Sequence, residues 1–245
     1  MKIVLPEKVT YIIDTLTQHG FEAYAVGGCV RDTMLGRIPM DWDITTSAKP
    51  EQVKELFRHT IDTGIQHGTV TVMLDHEGFE VTTYRIDGEY EDARHPKEVQ
   101  FTSDLLEDLK RRDFTINALA LCLNKERYGE LVDPFGGLDD MDNLIIRTPL
   151  DPDITFSDDP LRMMRAVRFA SQLGFFIHPD TFDAIERNKE RISIISKERI
   201  VDELNKIVLS PKPSIGFDLL DKSGLLQLIF PELCALKGVE TKEGI

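Results

Sequence analysis

Gly27-Gly28-Cys29-Val30-Arg31-Asp32, followed nine residues on by Asp41-Trp42-Asp43, is the stretch on which the fold turns. Phe21–Val26 before it is apolar and β-prone, so it reads as a strand broken by the two glycines. A short helix should run from Cys29 to Leu35 and close at Gly36. A glycine turn feeding a helix leaves backbone N–H groups unpaired and pointing outward, an arrangement suited to phosphate. Arg31 in the first turn can add a charge-assisted contact.

Asp41–Thr45 reads as the next strand. Residues i and i+2 share a side of a strand, so Asp41 and Asp43 should face one way and Trp42 the other. Two carboxylates side by side repel unless a cation sits between them. Mg²⁺ takes oxygen ligands, commonly one or two carboxylates plus phosphate oxygens. Asp-x-Asp alone is weak, because such pairs are common on solvated strands. Joined to the phosphate turn it indicates a nucleotide-plus-metal site. Glu80, in Phe79–Arg85, is a third candidate ligand; as a strand carboxylate it could equally be a solvated one.

Outward from this centre, residues 6–19 form an amphipathic helix with Val9, Ile12, Ile13 and Leu16 on its apolar stripe. Pro50–Phe57 is a second helix, and Thr69–Leu74 with Phe79–Arg85 a hairpin around Asp75-His76-Glu77-Gly78. Ile86–Lys97 is polar, Val99–Thr102 a further strand, and Asp104–Leu121 helical with a break near Arg112. From Asp158 onward only helices are expected: Asp158–Leu173, Asp180–Asn188, Lys197–Leu209 and Ser214–Lys222. Thr148–Thr155, with Pro149 and Pro152, is the expected boundary. Leu233–Ile245 shows neither helix period nor cap, as though the chain were the front part of a longer protein.

Composition narrows the class. The 245 residues carry 29 basic and 43 acidic side chains, a net charge of −14 that argues against a nucleic-acid coat protein but not against a local basic groove. No apolar run is long enough to span a membrane. Cys29, Cys122 and Cys234 stand far apart without a CxxC pair, which suits a reducing cytoplasm. The histidines show no metal-ligand spacing.

Together these residues resemble the DNA polymerase β-like nucleotidyltransferase superfamily. Two more segments narrow the resemblance to class II tRNA nucleotidyltransferases, which include bacterial poly(A) polymerases. Arg111-Arg112-Asp113-Phe114-Thr115-Ile116-Asn117-Ala118 is similar to that family's second motif. Asp158-Asp159-Pro160-Leu161-Arg162 through Phe169 is similar to its base-selecting motif, with Asp158 where the family more often has Glu. Asp133-Pro134-Phe135-Gly136-Gly137 also stands in family order.

The resemblance implies an α+β nucleotidyltransferase head with a mixed, antiparallel-leaning sheet over 1–147. A helical neck over 148–210 and the start of a helical body over 211–245 would follow. It implies that Asp41 and Asp43 hold Mg²⁺; Glu80 stays the candidate third catalytic carboxylate read from its strand. Gly27, Gly28 and Arg31 would contact the triphosphate, and Arg112, Asp113 and Asn117 the ribose and inner phosphates. Asp159 and Arg162, neighbours on one helix, would read the base of CTP or ATP in place of a template. Arg165 and Arg168 continue that helix; Arg168 lies near its apolar edge, where a structural role fits equally.

The implied reaction is two-metal addition of CCA to the 3′ end of tRNA. CC-only, A-only and poly(A) addition are the near alternatives. Poly(A) polymerases tend to carry Gly-Arg-Arg after the catalytic strand, where this chain has Gly64-Ile65-Gln66-His67. The polar stretch Ile86–Lys97 occupies the place of the family's C-to-A switching element, which favours full CCA addition. A silent RNA-binding module and a nucleotidyltransferase acting on a non-RNA substrate are the readings from other classes.

Overall fold

The computed structural model describes residues 5–87 and 99–239. Two compact units divide them: 1–143 with 147–150, and 144–146 with 151–245.

The first unit begins with α1 (Glu7–Gln18), β1 (Ala23–Val26), α2 (Gly28–Met34), β2 (Asp43–Thr46) and α3 (Pro50–Leu56). It continues with β3 (Thr60–Gly64), β4 (Thr69–Leu74), β5 (Glu77–Thr83), β6 (Arg85–Asp87), β7 (Val99–Phe101) and α4 (Leu105–Lys110). β8 (Ala120–Leu121), β9 (Leu131–Val132) and α5 (Gly137–Asp142) complete it. Seven strands form one sheet in the order β3-β4-β5-β2-β1-β8-β9. Only β2 and β5 pair in parallel; the other five pairings are antiparallel. The predicted stripe of α1, Val9, Ile12, Ile13 and Leu16, is fully buried.

Several features of this unit differ from the sequence reading. Thr60–Gly64 is a strand that the sequence does not announce, because an edge strand with mostly solvated residues lacks the apolar alternation of a half-buried one. Past Arg112 the chain is not helical. Thr115–Asn117 makes one 3₁₀ turn, and the fully buried Ala118–Leu121 leads into a strand that pairs with β1. β2 starts at Asp43 rather than Asp41. Ile86 and Asp87, expected in a polar loop, pair with β7 in a two-stranded ribbon; the rest of that loop and Leu233–Ile245 beyond Val239 lie outside the described residues.

The β4–β5 hairpin turns through Asp75 and His76, with φ of +47° and +67°. A two-residue turn with both centres left-handed suits Asn-Gly or Asp-Gly best. His76→Gly should therefore stabilise the unit by about 0.5–1 kcal/mol. It removes a left-handed cost of about 1–2 kcal/mol and returns part of it through unfolded-chain entropy. Urea unfolding of the two chains checks this.

The second unit holds β10 (Ile145–Ile146), α6 (Pro152–Asp158), α7 (Leu161–Leu173), β11 (Phe176–Ile177) and α8 (Pro179–Asn188). α9 (Lys197–Val208), α10 (Pro213–Ser223), α11 (Leu225–Ile229) and α12 (Pro231–Cys234) follow. Among the described residues it is helical apart from the two-residue parallel pairing of β10 with β11, made where Phe176-Ile177 bridges α7 and α8. The continuous helix expected from Asp158 is broken. Pro160 holds Asp159 extended (φ −134°, ψ 97°), so α6 ends at Asp158 and α7 starts at Leu161. Gly216 on α10 lies so close to α7 and α9 that a Cβ there would meet Ile207 Cγ2 at 2.5 Å and Ser171 Oγ at 2.6 Å. Among the described residues no helix is long and apolar enough to cross a membrane.

Candidate active site

β2 lies at the middle of the seven-stranded sheet, and its first residue is Asp43. In register with it stand Val26 of β1 on one side and Glu80 of β5 on the other. Asp41 and Asp43 are exposed and Trp42 between them is buried, the alternation expected of extended chain. A cavity of about 410 Å³ is lined by Asp41, Trp42, Asp43, Thr71, Gly78 and Glu80. Trp42 is thus buried as expected, yet also forms part of the cavity wall.

The three carboxylates feel one another. Surrounding protein is the leading cause of an upward shift at Asp43, which Arg112 opposes and Asp41 reinforces. Glu80 is raised first by burial, then by Asp43 and Asp41. Carboxylates gathered in this way carry a cost unless a cation offsets it. Among the described residues no three acidic, His or Cys side chains stand close enough to hold a metal together. Asp41 and Asp43 are the two carboxylates that the strand's end presents side by side to this cavity. An oxygen-only pair fits a hard cation such as Mg²⁺, whose remaining positions go to water and phosphate.

On the β1 flank the chain turns at Gly27 (φ +81°), a conformation that favours glycine, with its N–H on Leu119 O at 3.1 Å. A Cβ at Gly27 would lie 3.3 Å from an Arg112 terminal nitrogen. Arg31, buried to 9% exposure, places Nε and a terminal nitrogen on Asp32 Oδ1 at 3.0 and 2.9 Å. Its other terminal nitrogen donates to Asn117 Oδ1 at 2.7 Å. Asn117 Nδ2 donates in turn to Asp113 Oδ1 at 3.1 Å, which also accepts Phe114 N–H. Gly27, Gly28, Arg31, Arg112, Asp113 and Asn117 are therefore brought together beside Asp43, although they come from segments some eighty residues apart. Arg112 keeps a buried Nε–H without a protein partner among the described residues. Cys29, beside the turn, donates its thiol to Val26 O and is pushed up to about 11, first by burial, so it behaves as a small buried side chain.

Sequence reasoning missed Asp108. Its carboxylate is fully buried and accepts from Thr45 Oγ1 (3.1 Å), Arg85 N–H (3.3 Å), Arg111 Nε (3.2 Å) and Arg112 (3.2 Å). Burial works to raise it, but Arg111 and Arg112 outweigh that and hold it below the usual carboxylate range. The signal in the sequence was an acid three and four residues ahead of two arginines at helical spacing.

In the second unit, Asp159 and Arg162 are not neighbours on one helix. Asp159 precedes α7, its Oδ1 accepting Leu161 N–H at 3.1 Å and its carbonyl accepting Arg162 N–H at 3.0 Å. Its Oδ2 pairs with Arg199 of α9 at 3.1 Å, a partner the sequence reading did not name. Arg162 is half-buried and reaches back to Thr155 O. Arg165 lies 5.4 Å from the Phe169 ring centre. Arg168, 9% exposed, pairs with Glu203 of α9 at 2.5 Å and stacks over Phe169 at 4.4 Å.

The sequence pattern of the family described as "Poly A polymerase head domain" matches residues 23–147, just over half of the chain. The chain belongs to that family. A second pattern, "Probable RNA and SrmB- binding site of polymerase A", matches residues 174–237. The CCA-adding enzyme of Lactobacillus helveticus is 48% identical over 247 residues, covering 96% of this chain and 61% of the relative. That of Geobacillus stearothermophilus is 49% identical over 214 residues, covering 87% and 52%. The chain thus spans between half and two thirds of these curated relatives. The solved structure of the Bacillus stearothermophilus CCA-adding enzyme in complex with CTP superposes with a TM-score of 0.83 at 45% identity, over 91% of this chain and 53% of that one. The Thermotoga maritima CCA-adding enzyme complexed with tRNA_CCA gives a TM-score of 0.79 at 26% identity, over 94% and 54%.

Proposed function

We propose that this chain carries the catalytic part of a CCA-adding tRNA nucleotidyltransferase, which transfers CMP and AMP from CTP and ATP to the 3′ end of tRNA and releases pyrophosphate. The observation that carries the reading is the paired Asp41 and Asp43 facing one cavity, with the Gly27 turn, Arg31 and Arg112 gathered on the neighbouring strand's end. Relatives bearing the CCA-adding name at 48–49% identity support this activity over others open to the family.

Asp41 and Asp43 would hold Mg²⁺, which when bound neutralises phosphate charge and acidifies an RNA 3′-hydroxyl. Arg31 and Gly28 would grip the outer phosphates, and Arg112, Asp113 and Asn117 the ribose and inner phosphate. With the α-phosphorus fixed in this way, the hydroxyl oxygen bonds to it in line as the bond to the β-phosphate oxygen breaks. Glu80, next to Asp43 across the sheet, borders the flank away from the phosphate turn, where the incoming hydroxyl would approach. Asp159 and Arg162 would select the base, with Arg165 nearby. Residues 1–147 would be the catalytic head, 148–210 the neck and 211–245 the start of a body, in a bacterial-type cytoplasmic enzyme.

The test uses tRNAs ending before CCA, after C and after CC, with CTP and ATP supplied separately and with the natural protein carrying this chain. CTP incorporation on the first two and a single ATP addition on the third are expected. ATP-only extension, or long A tails, would overturn the CCA reading and favour the A-adding or poly(A) alternative.

A further inference from the structure

We infer that Asp108 is the positioning residue that sets the Arg112 guanidinium for the nucleotide. This rests on the proposed role of Arg112 as a nucleotide contact. Asp108 lies on α4 and Arg112 two residues past its end, at i and i+4, a spacing that on a solvated helix face would amount to little. Here the acid is fully buried and Arg112 largely so. A buried carboxylate left unpaired would be costly, so each of its oxygens is taken up twice: Oδ1 by Arg85 N–H and Arg111 Nε, Oδ2 by Thr45 Oγ1 and Arg112.

The division of labour between the oxygens gives direction. Oδ2 joins Arg112 to Thr45, two residues along β2 from Asp43. A guanidinium is planar and rigid, so fixing one edge fixes where the other points. One terminal nitrogen of Arg112 is spent on Asp108. The other lies against Gly27, 3.3 Å from where a Cβ would stand, at the turn beside the carboxylate pair. Its charge is felt at Asp43. The Nε–H, on the edge that faces Asp108, is buried and without a protein partner among the described residues. Asp108 therefore touches neither nucleotide nor metal; it acts through Arg112.

The test is a double-substitution cycle read as calorimetric affinity of the 245-residue chain for CTP and for ATP with Mg²⁺, without RNA. Arg112→Met should weaken both nucleotides by about thirtyfold and Asp108→Asn by about tenfold. Those are the sizes expected when a charge-assisted hydrogen bond to the nucleotide is deleted and when it is only misaligned. The double variant should bind within about threefold of Arg112→Met alone, because residues acting as one unit are not additive. Multiplication of the two effects to about three-hundredfold would overturn the proposal, as would unchanged affinity in Asp108→Asn. Unchanged affinity in Arg112→Met would remove the role of Arg112 itself, and the proposal with it. Thr45→Val, which deletes the other donor on Oδ2 and nearly conserves volume, keeps the test alive if Asp108→Asn does not fold. It should weaken binding about threefold, and not at all on the Arg112→Met background; no effect on either background counts against the proposal. Arg111→Met, on the other oxygen, should lower Tm while leaving both affinities within about twofold. A reduction there equal to that of Asp108→Asn would make the effect structural and overturn the positioning role.

Discussion

Asp43→Asn is expected to lower nucleotide incorporation below about one-thousandth of the unsubstituted rate, a barrier increase of about 4 kcal/mol, and at the same time to raise the Tm of the metal-free protein. The two effects share one cause. Asp43 stands in a cavity wall with Asp41 and Glu80; although the residue is exposed, the protein crowding its carboxyl is the first cause that raises it, and Asp41 raises it as well. A raised carboxyl means that the unfolded chain gives up this proton at lower pH than the folded one. Stability is therefore lost as pH rises from the ordinary Asp value, about 4, to the folded value, and the full cost is borne above it. Asparagine removes the charge and keeps the shape. The Tm advantage of the variant should vanish below about pH 4, where Asp43 is protonated in both states. Mg²⁺ should raise the Tm of the unsubstituted chain and do little for the variant, since a ligand stabilises only the state that binds it. Thermal scans at pH 4 and 7, with and without Mg²⁺, read all of this. A variant less stable than its parent at pH 7 without metal would mean that Asp43 is held for structural reasons.

The same site shows what a sequence can and cannot disclose. Asp41, Trp42 and Asp43 were legible because strand alternation is local: it needs only extended chain, and Trp42 is buried between two exposed acids as that period requires. The α1 stripe was legible for the same reason at the helical period. Pairings between distant segments were not. Nothing in Thr45 or in Leu105–Lys110 announces that Asp108 will lie under β2, and nothing near Asp159 points to Arg199, forty residues later. Even a local rule failed where a stronger one competed. The charged, apolar-periodic run from Asp158 reads as one helix, yet Pro160 denies Asp159 the helical region and splits α6 from α7. That break changes the chemistry proposed for the pair. The Asp159 carboxylate is held by Leu161 N–H and Arg199, so its direction is set before any base arrives. Residues 113–121 misled in the opposite way. Their uniform burial hides periodicity, and an apolar run that is buried all round does not say whether it is helix or strand.

Gly137→Ala should cost about 2–3 kcal/mol, at the upper end of the usual overpacking range, or roughly 5–10 °C in Tm for a unit of this size. A Cβ on Gly137 would stand 2.3 Å from Thr115 O and 2.9 Å from Thr115 C, which are backbone atoms, and 3.0 Å from Leu119 Cδ2. A flexible side-chain tip could swing away from such a contact; this carbonyl cannot. Thr115 is held from three directions: its N–H donates to Arg147 O, its hydroxyl donates to Asp140 Oδ2, and its carbonyl closes the 3₁₀ turn on Ala118 N–H. Gly137 opens α5, and α5 carries Asp140, so the helix and the turn can separate only by stretching the bonds that join them. The strain has one outlet that matters for function. Asn117 lies two residues beyond Thr115 and accepts from Arg31, which the Gly27 turn holds beside Asp43. Displacing the turn by a few tenths of an ångström should therefore weaken CTP and ATP binding beyond what partial unfolding explains, measured at a temperature where the variant remains folded. Gly136→Ala is the matched comparison. It has positive φ, at +74°, but nothing within 4 Å of a new Cβ, so it should lose about 1–2 kcal/mol from backbone strain while nucleotide affinity stays unchanged. Equal falls in affinity in the two variants would show that α5 affects the site only through overall stability, and not through the Thr115–Asn117–Arg31 line of contacts.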